Sequence, residues 1–100
     1  MKENRKQKPV GLLAEHRAIF AKIATGLGVP RVLAAGSRVK GYWTDDSDWD
    51  VYLPLQKIDK SWQDKATVLG KKLNMKIDIL GGGKIMPSDS YFVEADNGKV

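Results

Sequence analysis

The hydrophobic positions near the start of the chain predict one amphipathic helix. Apolar or partly apolar residues recur there every three or four positions, which is the spacing of a single helical face. They are Leu12, His16, Ile19, Phe20, Ile23 and Leu27. Gly26 and Gly28 are expected to end this helix, and Pro30 prevents its return. His16 lies on or beside the apolar stripe, which favours a packed histidine over a catalytic one.

Four later segments have the patterns of β-strands. Arg31–Ala35 is a short apolar run that suits a buried strand, and residues 48–53 alternate between polar and apolar positions. Residues 75–80 form a third candidate strand, which the glycines at 81–83 are expected to break. Residues 91–95 form a fourth, weaker candidate. The pattern therefore predicts a small sheet.

Helical patterns connect these strands. Residues 37–41 are expected to form one helical turn with Ser37 near its N-cap. Ser61 is the predicted N-cap of a second long helix, which carries an apolar stripe at helical spacing. The stripe consists of Trp62, Ala66, Leu69 and Leu73. The fold class predicted from this order is α/β (α+β), with a small mixed sheet of three to four strands and flanking helices.

Length and composition limit the domain organisation. A chain of 100 residues has the size of one domain. We predict a basic flexible tail over residues 1–9 and a single domain over residues 10–100. The chain has no cysteine, which excludes disulfides, thiol catalysis and cysteine-based zinc sites. This is compatible with a cytoplasmic protein, and no apolar run approaches the length of a membrane span.

The charge balance favours anionic partners. The net charge is +5, which suits nucleotides or nucleic acid. Much of the excess comes from the tail, through Lys2, Arg5, Lys6 and Lys8. Weak contact between the tail and nucleic acid is one interpretation, and a simply solvated tail is the other.

Two aspartates in the alternating segment are the first candidates for chemistry. Asp48 and Asp50 are separated by one residue, so a strand points them to the same face, about 7 Å apart at their Cα atoms. Asp78 lies between two isoleucines in the third candidate strand, where an ionised carboxylate is costly unless it is paired or bound to a metal. If the two strands are neighbours, the three carboxylates can hold two Mg²⁺ ions, or Mn²⁺, for phosphoryl or nucleotidyl transfer.

Three other motifs do not fit the chain. Residues 36–41 have the glycine spacing of a P-loop, but Tyr42 follows where that motif needs Lys. The glycines within 26–28 lack the rest of the dinucleotide fingerprint. A calcium loop starting at the aspartates would need Gly in place of Val51 and Glu in place of Lys57.

The aspartates belong to a longer pattern that resembles a known family. Gly36-Ser37 is followed, after a gap of ten residues, by Asp48-Trp49-Asp50-Val51, and Asp78 comes on a later strand. This order is similar to the signature of the DNA polymerase β-like nucleotidyltransferase superfamily, and most of all to its small members, the minimal nucleotidyltransferases. The resemblance covers residues 32–80, and it implies a nucleotidyltransferase-like fold.

The resemblance also implies roles for individual residues. Asp48 and Asp50 would hold both magnesium ions, and Asp78 would bind one metal and take the proton from the attacking hydroxyl. Gly36 would let the backbone approach the triphosphate, and Ser37 would bind a phosphate. These roles come from the family resemblance alone. Whether the residues lie close together is a question for the structure.

Two basic residues follow the Gly-Ser pair. Arg38 and Lys40 either add positive charge near the pyrophosphate leaving group or belong to an exposed basic face. Trp43, in the loop before the aspartates, either stacks on a base or packs against the protein.

Two functions are compatible with the pattern. The first is an enzyme that transfers a nucleoside monophosphate from an NTP, with ATP as a candidate donor, to a hydroxyl on a protein, a small molecule or a nucleic acid. The second is a non-catalytic module that keeps the fold and binds nucleotide, nucleic acid or a partner. Small family members are often antitoxins, so the resemblance implies a partner toxin as one candidate. The short segment after Leu80 leaves little to bind the acceptor, which suggests a partner protein or a homodimer.

Overall fold

A four-stranded mixed sheet, with two long helices against one face, makes up the described part of the protein. The computed structural model describes residues 11–54, 57–82 and 90–96. In chain order the elements are α1 (Ala14–Leu27), β1 (Arg31–Ala35), α2 (Ser37–Lys40), β2 (Trp49–Leu53), α3 (Lys60–Leu73), β3 (Ile77–Gly82) and β4 (Tyr91–Glu94). The predicted tail at 1–9 lies outside the described residues.

The strands are arranged in the order β3-β2-β1-β4. β1 is antiparallel to both β2 and β4, whereas β2 and β3 are parallel. The parallel pair requires a crossover, which α3 provides between β2 and β3. The predicted fold class, a small mixed sheet of three to four strands with flanking helices, is confirmed.

The core lies between the sheet and the helices α1 and α3. The largest side chains that are fully buried come from both layers and from α2: Phe20, Ile23, Leu27, Val32, Val39, Val51, Leu53, Ile77 and Val93. His16 is also buried, and its ring makes edge contacts with Trp43 and Trp49, with centroids 4.6 and 5.3 Å apart. The interpretation of His16 as a packed histidine is confirmed.

One glycine prediction for α1 is right and the other is wrong. Gly28 ends the helix in the left-handed conformation (φ 78°), with Val29 N–H donating to the Ala24 carbonyl. Gly26 lies inside the helix. A Cβ built at Gly26 would come within 2.6 Å of a Leu69 methyl group. Gly26 therefore serves the close contact between α1 and α3, and it does not end α1.

The N-cap of α3 differs from the prediction. The cap is Asp59, whose carboxylate accepts a hydrogen bond from Ser61 N–H at 3.0 Å. Ser61 lies in the first turn. Asp and Ser are both good caps, and they stand two residues apart here, so the sequence alone did not separate them.

The ends of the strands also differ from the predictions. β2 begins at Trp49, directly after Asp48, and β3 runs over Ile77–Gly82. Gly81 and Gly82 were expected to break β3, but they continue it, while residue 83 lies outside the described residues. A Cβ at Gly82 would come within 2.9 Å of the Leu53 carbonyl oxygen, so glycine permits a close strand approach at this position.

None of the helices in the described ranges combines the length and the apolar character needed to cross a membrane.

Candidate metal centre

Three aspartate carboxylates meet where β2 and β3 begin. Asp50 stands directly opposite Asp78 in the parallel register of the two strands, and Asp48 is the residue before β2. One carboxylate oxygen from each of the three aspartates lies within 4.8 Å of the others. The structure thus brings together the three aspartates that the sequence predicts to be metal ligands.

Strand alternation places these carboxylates on the sheet face away from the core. In β2 the side chains of Trp49, Val51 and Leu53 are buried, and those of Asp50 and Tyr52 are only half-buried. In β3 the core side chain is Ile77. A one-residue shift of either strand would bury a carboxylate in the core, so the hydrophobic pattern also fixes the direction of the acids.

Burial, reinforced by the neighbouring acids, raises the pKa of two of these carboxyls. Burial raises the pKa of Asp50, and the charges of Asp78 and Asp48 raise it further. Burial likewise raises the pKa of Asp78, and a hydrogen bond to Asp48 and the charge of Asp48 raise it further. A divalent cation would offset the repulsion between the acids, and carboxylate oxygens are the ligands that Mg²⁺ and Mn²⁺ prefer.

Lys76 is a neighbour of this cluster that the sequence prediction missed. Its ammonium nitrogen lies 3.9 Å from an oxygen of Asp48. Its charge opposes the rise in the pKa of both Asp50 and Asp78. The signal was present in the chain, because Lys76 and Asp78 are two residues apart and an extended segment places them on the same face.

Gly36 is in direct contact with the cluster. It directly follows β1, whose last residue, Ala35, pairs with Asp50. Its backbone has φ 80° and ψ −162°, a region that is almost restricted to glycine. A Cβ built there would overlap the Asp50 carboxylate and come within 2.9 Å of Asp50 Cβ. Glycine is therefore required at position 36, where the chain leaves β1 next to the Asp50 side chain.

Ser37 and Lys40 lie at the two ends of the short helix α2. Ser37 is half-buried and directly follows Gly36, and Lys40 is exposed. The Gly36 carbonyl accepts from the N–H groups of Val39 and Lys40, at 3.1 and 3.2 Å, which closes the turn. Phosphate binding by Gly36, Ser37 and Lys40 stays a prediction.

Arg38 is buried, with 5% of its surface exposed. The interpretation of Arg38 as part of an exposed basic face is therefore wrong. Its guanidinium lies 3.9 Å from the centroid of the Trp49 ring and 5.6 Å from that of Trp43. One terminal nitrogen donates to the Ser47 carbonyl at 2.8 Å and contacts the Asp45 carbonyl at 3.5 Å. Arg38 thus holds the loop before Asp48 against the core.

These contacts also bear on the two interpretations of Trp43. Its ring packs against His16 and lies near the guanidinium of Arg38. The structure favours packing for Trp43, because both His16 and Arg38 belong to the protein interior.

The surroundings of Arg38 also affect its charge. Burial lowers the pKa of Arg38, while the charges of Asp45 and Asp48 act in the opposite direction.

We expect Arg38→Met to destabilise the fold. The substitution keeps much of the side-chain volume but removes the hydrogen bonds to the loop and the cation–π contact with Trp49. The expected loss in the free energy of unfolding is about 2–4 kcal/mol, measured by urea denaturation. Lys40→Met, an exposed change on the same short helix, is the matched control. Equal stability of the two variants would contradict a structural role for the buried guanidinium.

Comparison with known proteins adds no relative. No protein-family model, curated protein or solved structure matches this chain. The candidate function therefore depends on the motif and on the geometry of the three aspartates.

Proposed function

We propose that the protein is a metal-dependent nucleotidyltransferase, which transfers a nucleoside monophosphate from an NTP to an acceptor hydroxyl. The observation that carries this proposal is the convergence of Asp48, Asp50 and Asp78 within 4.8 Å. Asp48 and Asp50 come from one segment and Asp78 from a later strand, and burial together with the neighbouring acids raises the pKa of Asp50 and of Asp78. Such an arrangement is costly without a function.

The proposed reaction is an in-line displacement at the α-phosphorus of the NTP. A bond forms between the acceptor oxygen and the α-phosphorus, the bond from that phosphorus to the β-phosphate bridging oxygen breaks, and pyrophosphate leaves. Bound at the three aspartates, Mg²⁺ or Mn²⁺ would neutralise the charge that builds up on the phosphate oxygens.

The residues of the chain would contribute positioning and proton transfer. A carboxylate oxygen of Asp78, which lies opposite Asp50 in the cluster, accepts the proton of the attacking hydroxyl. Ser37, next to the glycine that contacts Asp50, offers its hydroxyl to a phosphate. Lys40 contributes charge towards the same phosphates, whereas Arg38 is assigned to the support of the loop.

The test is transfer of label from α-³²P-labelled NTPs. The purified protein is incubated with each NTP, Mg²⁺ or Mn²⁺ and fractions of a host lysate containing protein, nucleic acid or small molecules. Metal-dependent label in one fraction is the expected result, and that fraction identifies the acceptor class. Asp48→Ala and Asp50→Ala are expected to abolish transfer.

Asp46→Ala is the matched control, because it removes an exposed carboxylate two residues before Asp48 and leaves the cluster intact. The variant is expected to transfer label at the wild-type rate. Equal loss in all three variants would argue against a specific role for the cluster. Metal-dependent NTP binding without transfer to any fraction would favour the non-catalytic module.

A further inference from the structure

The side chain of Gln63 makes two hydrogen bonds to the backbone on either side of Asp78. Its Nε2 donates to the Ile77 carbonyl at 3.1 Å, and its Oε1 accepts from Ile79 N–H at 2.8 Å. β3 is the outermost strand of the sheet beyond β2. The amide of Gln63 therefore satisfies the donor and the acceptor that a neighbouring strand would otherwise pair with.

Gln63 is itself held in place by its helix. Its Nε2 lies 3.2 Å from the hydroxyl oxygen of Thr67, one turn further along α3, and that hydroxyl lies 3.0 Å from the Gln63 carbonyl oxygen. The far end of α3 packs closely on the chain leading into β3, because a Cβ at Gly70 would overlap the Met75 carbonyl oxygen. The amide is thus presented to β3 from a fixed position.

The two hydrogen bonds affect one member of the aspartate cluster more than the others. On its inner side, β3 is held by its register with β2, where Asp78 pairs with Asp50. On its outer side, the residues before and after Asp78 are held by Gln63. Because the backbone is held at both Ile77 and Ile79, it can rotate less at Asp78. The carboxylate of Asp78 is therefore restricted to fewer directions.

We propose that Gln63 is a positioning residue for Asp78, acting through the β3 backbone without contacting metal or substrate. This inference rests on the proposed function, since it assigns Gln63 a part in holding the metal site. Partners that hydrogen-bond a metal ligand directly typically change metal affinity about 10- to 100-fold when they are removed, and for Gln63, which acts through the backbone, we expect the lower end of this range.

The test compares Mn²⁺ binding by Gln63→Met and by the wild-type protein, followed by electron paramagnetic resonance or calorimetry. Methionine is close to glutamine in length but makes neither hydrogen bond. We expect the Kd for Mn²⁺ to rise about tenfold or more. Val68→Met introduces the same residue at an exposed position of α3 and is expected to leave Kd unchanged.

Two further measurements test whether the hydrogen bonds of Gln63 to β3 are the cause of the change in Kd. Hydrogen exchange of the Ile79 amide is expected to accelerate in Gln63→Met and not in Val68→Met. Gln63→Leu also removes both hydrogen bonds and adds no charge beside the cluster, so its Kd should rise as in Gln63→Met. This variant carries the test if Gln63→Met does not fold.

The outcomes distinguish this inference from the proposed function. A folded Gln63→Met protein with a lower melting temperature but the wild-type Kd would show that Gln63 only protects the edge, and the inference would be overturned. A wild-type protein that binds no Mn²⁺ would instead overturn the proposed function.

Discussion

Asp50→Asn is expected to raise the melting temperature of the metal-free protein and to remove metal-dependent transfer. The pKa of Asp50 is raised from its ordinary value of 3.8 by burial and by the neighbouring acids. Between the ordinary and the raised pKa, the folded state binds more protons than the unfolded state, so stability falls as the pH rises through this window. Above the window the ionised Asp50 destabilises the fold, and asparagine removes that penalty.

The same substitution removes a ligand from the proposed metal site. Mn²⁺ at a hundredfold excess over its Kd would stabilise the wild-type protein by about 2.7 kcal/mol, and we expect this gain to be lost in Asp50→Asn. Transfer is expected to fall about a thousandfold or more, which corresponds to about 4 kcal/mol of activation free energy.

Thermal melts with and without Mn²⁺, recorded from pH 4 to pH 8, measure both effects. Asp46→Asn is the matched control, and it should show the wild-type response to metal. The metal-free melting temperatures of wild type and Asp50→Asn should converge at low pH, where Asp50 is protonated in both states. A variant that is less stable than wild type at neutral pH, and still stabilised by Mn²⁺, would contradict the site.

Gly36→Ala is expected to damage both the fold and the site. The new Cβ would overlap the Asp50 carboxylate, and the backbone at residue 36 has a conformation that alanine rarely adopts. Together these effects are expected to lower the free energy of unfolding by about 2–5 kcal/mol, measured by urea denaturation. The displaced carboxylate should also weaken Mn²⁺ binding.

Gly28→Ala is the control for an alanine at positive φ without a steric overlap. Gly28 also has a positive φ (78°), but a Cβ there would meet no atom within 4 Å. Gly28→Ala should therefore cost only about 1 kcal/mol and leave Mn²⁺ affinity unchanged. Equal destabilisation by the two variants would mean that the contact between Gly36 and Asp50 contributes nothing.

Local patterns predicted much of the fold because they report on burial. The alternation from Trp49 to Leu53 separated the core side chains from the acids, and the apolar stripe of α1 identified the helix that covers the sheet. The end of α1 at Gly28 was predictable for a different reason, since a left-handed cap depends on the conformation of a single residue.

Glycines with a packing role misled the prediction. Gly26 belongs to α1 and Gly82 to the end of β3, and both admit a close neighbour: Leu69 approaches Gly26, and Ile58 and Leu53 approach Gly82. A glycine that breaks an element and one that admits a neighbour look identical in a sequence, since the neighbour is distant along the chain.

For the candidate site, the sequence by itself determined the residue types and their faces: Asp48 and Asp50 on one side of an alternating segment, and Asp78 in an apolar segment. Only the tertiary structure decided that β2 and β3 are neighbours in parallel register, so that Asp50 lies opposite Asp78. It also decided that Arg38 is buried and that Gln63 binds the outer edge of β3. The physical reason is that alternation is set by the local backbone, whereas strand order and long-range hydrogen bonds depend on how the whole core packs.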